Sequence, residues 1–278
     1  MVEVGLPYGY RYEGAWRRSV WLRAWNGHDE AALTGEGAAE YPAARTTLLL
    51  SRCVHADRDS GPASTKFVRG LTAGDRDALL LHLRRITVGR RIAALVHCER
   101  CHEALELDVE IESLIGAPVR EGDGVHELTV ERDGSPCTVR FRVPDGGDME
   151  DAAPLAVRDP AAAEKLVLQR CIEGPAVEEL SPAVIDRVCE AMRERDPQAE
   201  MLLEGRCFKC GEGFTLAFDA ARYVFREMEH AQAALERDVH LLALHYHWSE
   251  NEILAMTPGR RGRYVQRLLD SLSERRRA

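Results

Sequence analysis

Cys98-Glu99-Arg100-Cys101 and Cys207-Phe208-Lys209-Cys210-Gly211 are built alike. Ile92 to Val96 reads as a strand running into the first pair, and Leu105 to Ile111 as a strand leaving it. Met201 to Glu204 and Phe214 to Phe218 flank the second pair in the same way. A C-x-x-C turn aims two thiolates at one point, and two such turns complete a tetrahedral sulfur set. Gly211 suits the tight backbone after the second turn. Arg100 and Lys209 offset the charge of four thiolates. The expectation is one structural Zn2+ per chain on Cys98, Cys101, Cys207 and Cys210. The fold expected around it is α+β, with a zinc-ribbon-like centre, β-hairpins and a helical C-terminal half.

The pairs lie about a hundred residues apart, farther than in compact ribbons. The segment between them must therefore leave and return. This divides the chain into 1–102, an α+β region ending in the first knuckle; 103–206, an inserted β-hairpin with helices; and 207–278, the second knuckle with the C-terminal helices. Three other readings compete. Separate redox pairs would each follow a strand and open a helix, which neither does. The thiols could be unrelated buried side chains. Cys98-x-x-Cys101-His102 also matches the haem-attachment pattern, which would require export and leaves the second pair unexplained. Four thiolates leave no open coordination position, so such a site is structural and argues against metal-assisted hydrolysis.

Working outward, residues 1–25 alternate as a strand or hairpin, and Asn26-Gly27 is a turn before a short helix at His28-Asp29-Glu30. Residues 34–44 read as a Gly/Ala-rich loop and Thr46 to Val54 as a helix. Thr72 and Asp75 form a capping pair ahead of Leu79, Leu80, Leu83 and Ile86, with Gly89 closing that helix. Residues 125–143 read as a hairpin turning at Asp133-Gly134, and Gly146-Gly147 as a loop. Asp159-Pro160 and Ser181-Pro182 each open a helix. Asp219 caps a long amphipathic helix through Tyr246, Ser249 and Glu252 cap a short one, and a last helix starts near Arg260. No internal repeat is evident beyond the two cysteine pairs and their strands.

The 278 residues suffice for a sizeable core, and 45% hydrophobic with 30% charged residues describes a globular chain. A net charge of −9 argues against a general nucleic-acid binder. The start lacks a signal peptide and no apolar run reaches membrane-spanning length, so cytoplasmic synthesis without membrane partners is expected. Cys53, Cys137, Cys171 and Cys189 read as small buried hydrophobes. His240, His245 and His247 have no ligand-spaced carboxylates beside them and read as solvated or packing residues. The basic run Gly259-Arg260-Arg261-Gly262-Arg263 through Arg275-Arg276-Arg277 reads as helix-end charge, with contact to nucleic acid or to an acidic protein partner as the alternative. No nucleophile elbow, phosphate loop or acid–base set is present.

Several stretches together carry a family resemblance. They are Leu71-Thr72-Ala73-Gly74-Asp75-Arg76-Asp77, the knuckle Cys98 to Cys101, Arg142-Val143-Pro144 with Asp148, and Asp196-Pro197-Gln198-Ala199. Cys207 to Asp219, Val239-His240-Leu241-Leu242-Ala243, Tyr246-His247-Trp248-Ser249-Glu250-Asn251-Glu252-Ile253-Leu254 and Arg260-Arg261-Gly262-Arg263-Tyr264 complete the set. Over most of its length the chain resembles the T-even-phage-type baseplate hub assembly chaperone family of contractile phages and contractile injection systems. The resemblance implies a non-enzymatic role in building the baseplate or hub, with baseplate or hub proteins as partners. It also carries a zinc-ligand pattern onto Cys98, Cys101, Cys207 and Cys210. His102 stands where the family usually has glycine, and Tyr246-His247 where Tyr-Gly is common. Trp248, Ile253 and Leu254 are candidate partner-docking residues; packing of the last two helices is the alternative. A zinc-ribbon nucleic-acid-binding or regulatory protein, and a redox enzyme, remain the competing functional classes.

Overall fold

The chain opens with a long hairpin, β1 (Val2–Tyr12) and β2 (Ala15–Leu22), followed by α1 (Gly27–Thr34), α2 (Pro42–Cys53) and a short β3 (Val54–His55). Two helices come next, α3 (Thr65–Arg69) and α4 (Ala73–Thr87). The first knuckle hairpin is β4 (Arg91–His97) and β5 (Ala104–Glu110), and α5 (Ile111–Leu114) ends this half. The succession then recurs as β6 (His126–Arg132), β7 (Ser135–Phe141), α6 (Gly146–Ala156), α7 (Pro160–Cys171), β8 (Ile172–Gly174) and α8 (Pro182–Arg195). The second knuckle hairpin is β9 (Met201–Arg206) and β10 (Gly213–Phe218), followed by α9 (Ala220–Tyr246), α10 (Glu250–Leu254) and α11 (Pro258–Arg277). This computed structural model describes residues 1–34, 39–119, 124–132 and 135–277, with the backbone alone for Arg132, Arg276 and Arg277. The architecture is α+β, with small antiparallel sheets and a helical C-terminal part.

The repetition reaches well beyond the cysteine pairs, which corrects the sequence reading. Strand order is β1-β2-β3 in one sheet and β6-β7-β8 in the other, antiparallel throughout. Leu22 pairs with Val54 in the first and Phe141 with Ile172 in the second. Arg23 N–H donates to the Cys53 carbonyl at 3.0 Å, and Arg142 N–H to the Cys171 carbonyl at 2.8 Å. Each unit then buries one carboxylate at the start of its helix pair. Asp29 accepts from Arg23 (2.6 and 3.0 Å), Arg52 (2.7 Å) and the Asn26 N–H (3.0 Å). Asp148 accepts from Arg142 (2.5 and 2.9 Å), Arg170 (2.6 Å) and the Asp145 N–H (3.0 Å). The Cys53 and Cys171 thiols lie 3.8 and 3.7 Å from these carboxylates. The shared letters are Arg-x-x-Asn/Asp-Gly-x-Asp and Arg-Cys-Val/Ile, too sparse to stand out along the chain.

The main core takes side chains from the first unit together with Met201 and the first half of α9, while a second core lies between β7, α7 and α8. Two local expectations are corrected. Gly146 and Gly147 are not a loop; they form the first turn of α6, because Asp145 and Asp148 cap each other's backbone N–H groups. Helix α2 starts at Pro42, inside the stretch read as a loop, since proline is tolerated where the N–H has no helical partner. Residues 35–38 of that loop, and the Asp133-Gly134 turn, lie outside the described residues.

Helix α4 fixes both units. Its cap is Thr72, whose side chain accepts from the Asp75 N–H. The Asp75 carboxylate accepts from Tyr8 and Gly9 N–H, both at 2.8 Å, and so holds the bulge in β1; burial pushes its carboxyl up to about 7. Gly74 N–H donates to Asp196 at 2.9 Å, and a Cβ there would sit 2.0 Å from Asp196 Oδ1 and 2.8 Å from the Ala199 nitrogen. Gly74→Ala is therefore expected to destabilise the fold by about 2–3 kcal/mol, read as a lower urea midpoint at unchanged slope.

Candidate metal centre

Each knuckle is a backbone turn closed by two hydrogen bonds. In the first, Cys98 N–H donates to the Glu103 carbonyl at 2.9 Å and His102 N–H to the Cys98 carbonyl at 2.8 Å. In the second, Cys207 N–H donates to Glu212 at 2.8 Å and Gly211 N–H to Cys207 at 2.9 Å. These turns project two thiols apiece toward one point. The four sulfurs all lie within 4.8 Å of one another. Cys98 and Cys210 are 3.6 Å apart, as are Cys101 and Cys207. A tetrahedral ion with bonds of about 2.3 Å has sulfur–sulfur edges of about 3.8 Å, so the donor set has the right size to hold a metal ion. Among the described residues it is the one group of three or more His, Cys, Asp or Glu side chains arranged this way.

The surroundings are matched across the pair. Arg100 beside the first knuckle bonds Glu212 after the second, at 3.0 Å, and Lys209 beside the second bonds Glu103 after the first. The two cations are thus tied to carboxylates across the site as well as standing near the thiols. Cys98, Cys207 and Leu105 are buried, with Val96 and Phe214 packed at the edge. The Cys210 N–H, set against burial and joined by the Lys209 N–H, draws the Cys207 thiol down to about 7. At Cys101 the Glu103 N–H is outweighed by desolvation and the neighbouring thiols, which push that thiol up to about 12, so the protein alone favours the thiolate a metal requires at Cys207 and not at all four sulfurs.

The residue after each knuckle is left-handed, at φ 57° for His102 and 74° for Gly211. Glycine reaches this region without strain and histidine does not. His102→Gly is expected to stabilise the metal-bound protein by about 1 kcal/mol, and Gly211→Ala to destabilise it by a similar amount, on the usual left-handed penalty. Thermal unfolding with zinc present reads both.

Other residues singled out from the sequence lie elsewhere. Cys53 and Cys171 are buried beside the unit carboxylates, while Cys137 and Cys189 are half-buried at the edge of the second core. His240, His245 and His247 are exposed and do not converge. Trp248 is half-buried, stacked on Tyr246 at 4.9 Å and edge-on to Tyr264 at 4.9 Å. Ile253 is fully buried with Leu242 and Val265, and Leu254 is half-buried against Gly27. The basic run near the C-terminus, which reads as helix-end charge, contains one buried residue. Arg261 is 3% exposed and bonds Glu30 at 2.7 Å and Asp238 at 3.3 Å. Nothing in a run of arginines marks which one turns inward. Its spacing from Val265 and Leu268 on the buried face is the signal that places it there.

A family model described as T4 bacteriophage base plate protein matches residues 16–174, more than half of the chain. The match runs from β2 to β8 and includes the first knuckle. Neither the curated proteins nor the solved structures gave a match.

Proposed function

Because the chain belongs to the T4 bacteriophage base plate protein family, we propose that it is a non-enzymatic assembly factor or structural component of the baseplate or hub of a contractile phage-like tail or injection system. The family match over 16–174 carries this reading. Within it, Cys98, Cys101, Cys207 and Cys210 hold one structural Zn2+. The sulfur spacing supports zinc, and four thiolates leave no position for a substrate. Its binding energy is then folding energy. The knuckles divide the chain into 1–102, 103–206 and 207–278. The protein is made in the cytoplasm and works on, or within, a tail-like particle. No helix among the described residues is long and apolar enough to cross a membrane.

Baseplate or hub proteins are the partners, and they meet the corner between α9 and α10 at Trp248 and Leu254, with Ile253 packed beneath. Trp248→Ala is expected to weaken such a complex about tenfold, within the usual range for an interface tryptophan. The test is native mass spectrometry of the chain mixed with baseplate proteins of its own gene neighbourhood. A defined complex supports the reading. A salt-sensitive affinity for DNA in its place would favour the alternative, a zinc-ribbon nucleic-acid-binding or regulatory protein.

A further inference from the structure

The two units have the same opening at the start of their helix pair, and each is closed by the same kind of element. In the second unit, Gly146 N–H donates to the Leu71 carbonyl at 3.0 Å, from the turn between α3 and α4. In the first, the equivalent Gly27 N–H donates to the Met256 carbonyl at 3.3 Å, from the turn between α10 and α11. The two helix pairs correspond at a set of spaced positions. Ser64 caps α3 and Ser249 caps α10. Val68 and Ile253, one turn on, are both fully buried. Leu71-Thr72-Ala73-Gly74-Asp75-Arg76 is answered by Met256-Thr257-Pro258-Gly259-Arg260-Arg261. The backbone bonds correspond as well: Leu71 to Val68 and Met256 to Ile253, Arg76 to Thr72 and Arg261 to Thr257. Arg76 and Arg261 are each 3% exposed, charged ends turned inward. Residues 249–272 thus repeat the pattern of 64–87, and the N-terminal end of each unit's helix pair is a docking site for it.

The two docked pairs are not equally bound to the body. The α3–α4 pair belongs to the main core and is continued on both sides by strands of the fold. The α10–α11 pair packs outside that core, in a small cluster where its Ile253 and Val265 meet Leu242 of α9. It joins α9 through His247-Trp248, with His247 left-handed at φ 54°. Residues 249–277 carry seven arginines against four carboxylates, while the chain as a whole is at −9, so pair and body attract electrostatically. Leu244 and Leu269, at 57% and 45% exposed on α9 and α11, leave apolar surface uncovered beside the pair.

We propose that the docking site formed by Gly27 and Glu30, with Asp238, exchanges its occupant, accepting the α10–α11 pair of a second copy of this chain. Any copy supplies a pair that fits, the short His247-Trp248 connection is the hinge, and the donor's uncovered apolar side chains become interface. This inference does not depend on zinc and goes beyond the baseplate reading. It supplies the contact by which copies join.

The test uses reversed charges in full-length chains. Glu30→Arg in one chain and Arg261→Glu in another each set like charges together within the chain, whereas exchange between the two chains restores an opposite pair at both sites. Each alone should stay monomeric, with amide exchange over 249–277 at least about tenfold faster than wild type, since about 1.4 kcal/mol of lost docking already gives that factor. Mixed in equal amounts, they should form a 1:1 dimer by native mass spectrometry and regain protection over 249–277. A mixture that stays monomeric and unprotected, or a site taken by a helix pair of another baseplate protein, overturns the proposal. Wild-type light and heavy isotope-labelled chains give a measurement independent of variants. Concentrating the mixture should yield mixed dimers, and monomers alone at every concentration would likewise overturn it.

Discussion

Replacing Cys207 with serine is expected to leave the protein without stoichiometric zinc and to loosen both knuckle hairpins together, 91–110 as well as 201–218. The reason lies in how little else holds these hairpins at their tips. A two-stranded hairpin is marginal alone. Between the two knuckles lie a small cluster around Cys98, Leu105 and Cys207 and two exposed ion pairs, Arg100–Glu212 and Lys209–Glu103, of the kind that contributes little. A few apolar side chains contribute roughly 1.5–3 kcal/mol each on full burial. A structural zinc site contributes on the order of 10 kcal/mol to the folding it organises, so a zinc held there would outweigh these contacts. Because each knuckle supplies two of the four ligands, Cys98→Ser should give the same pattern from the other side. Hydrogen exchange reads the effect by region. Protection should fall in both hairpins and persist over 20–55 and 139–174, and a chelator should reproduce it on the unaltered chain.

The second large effect falls on the buried carboxylates. Asp29→Ala and Asp148→Ala are each expected to cost about 3 kcal/mol. Removing one member of a buried charge cluster typically costs about 3–5 kcal/mol, and the lower end applies because the arginines are partly in water; Arg170 is 41% exposed. The two losses should agree to within about 1 kcal/mol, since the two sites make the same bonds. Their pH dependence has a fixed sign. Burial alone would raise both carboxyls, but hydrogen bonds from Arg23 and Arg52 to Asp29, and from Arg142 and Arg170 to Asp148, hold both below the usual carboxylate value. The stability they contribute is fully present above a pH of about 4 and is lost as pH falls further. Buried Asp75 works in the opposite sense. Its carboxyl is raised to about 7, so its contribution is full below a pH of about 4 and is lost as pH rises toward neutrality. Urea unfolding across pH should separate the two, with the variants' acid limb flattened relative to wild type.

The thiol cluster was legible because its chemistry is local. Two C-x-x-C turns with strands on both sides specify where the sulfurs point, and the folded chain brings all four together. The helices with strong caps at Thr72, Asp159, Ser181, Asp219 and Ser249 were legible for the same reason, since a cap is written within four residues. The duplication was not. It is held by pairs such as Arg52 with Asp29 and Arg170 with Asp148, whose members lie far apart in sequence, while the connecting loops differ in length. Helix α6 was missed because two glycines at its start argue for a loop, and the reciprocal Asp145–Asp148 cap that outweighs them lies on either side of that pair. The burial of Arg261 is not written in its own segment, because burial of a charge depends on partners and Glu30 lies in the first unit.

One zinc shared between the knuckles of two like units would have a distinct X-ray signature. Zinc K-edge absorption on the purified protein reads it, with the metal content measured on the same sample. The expected result is one zinc per chain with four sulfur neighbours at about 2.3 Å. A chain that purifies folded without zinc, or a zinc bound by nitrogen or oxygen, would rule the shared site out.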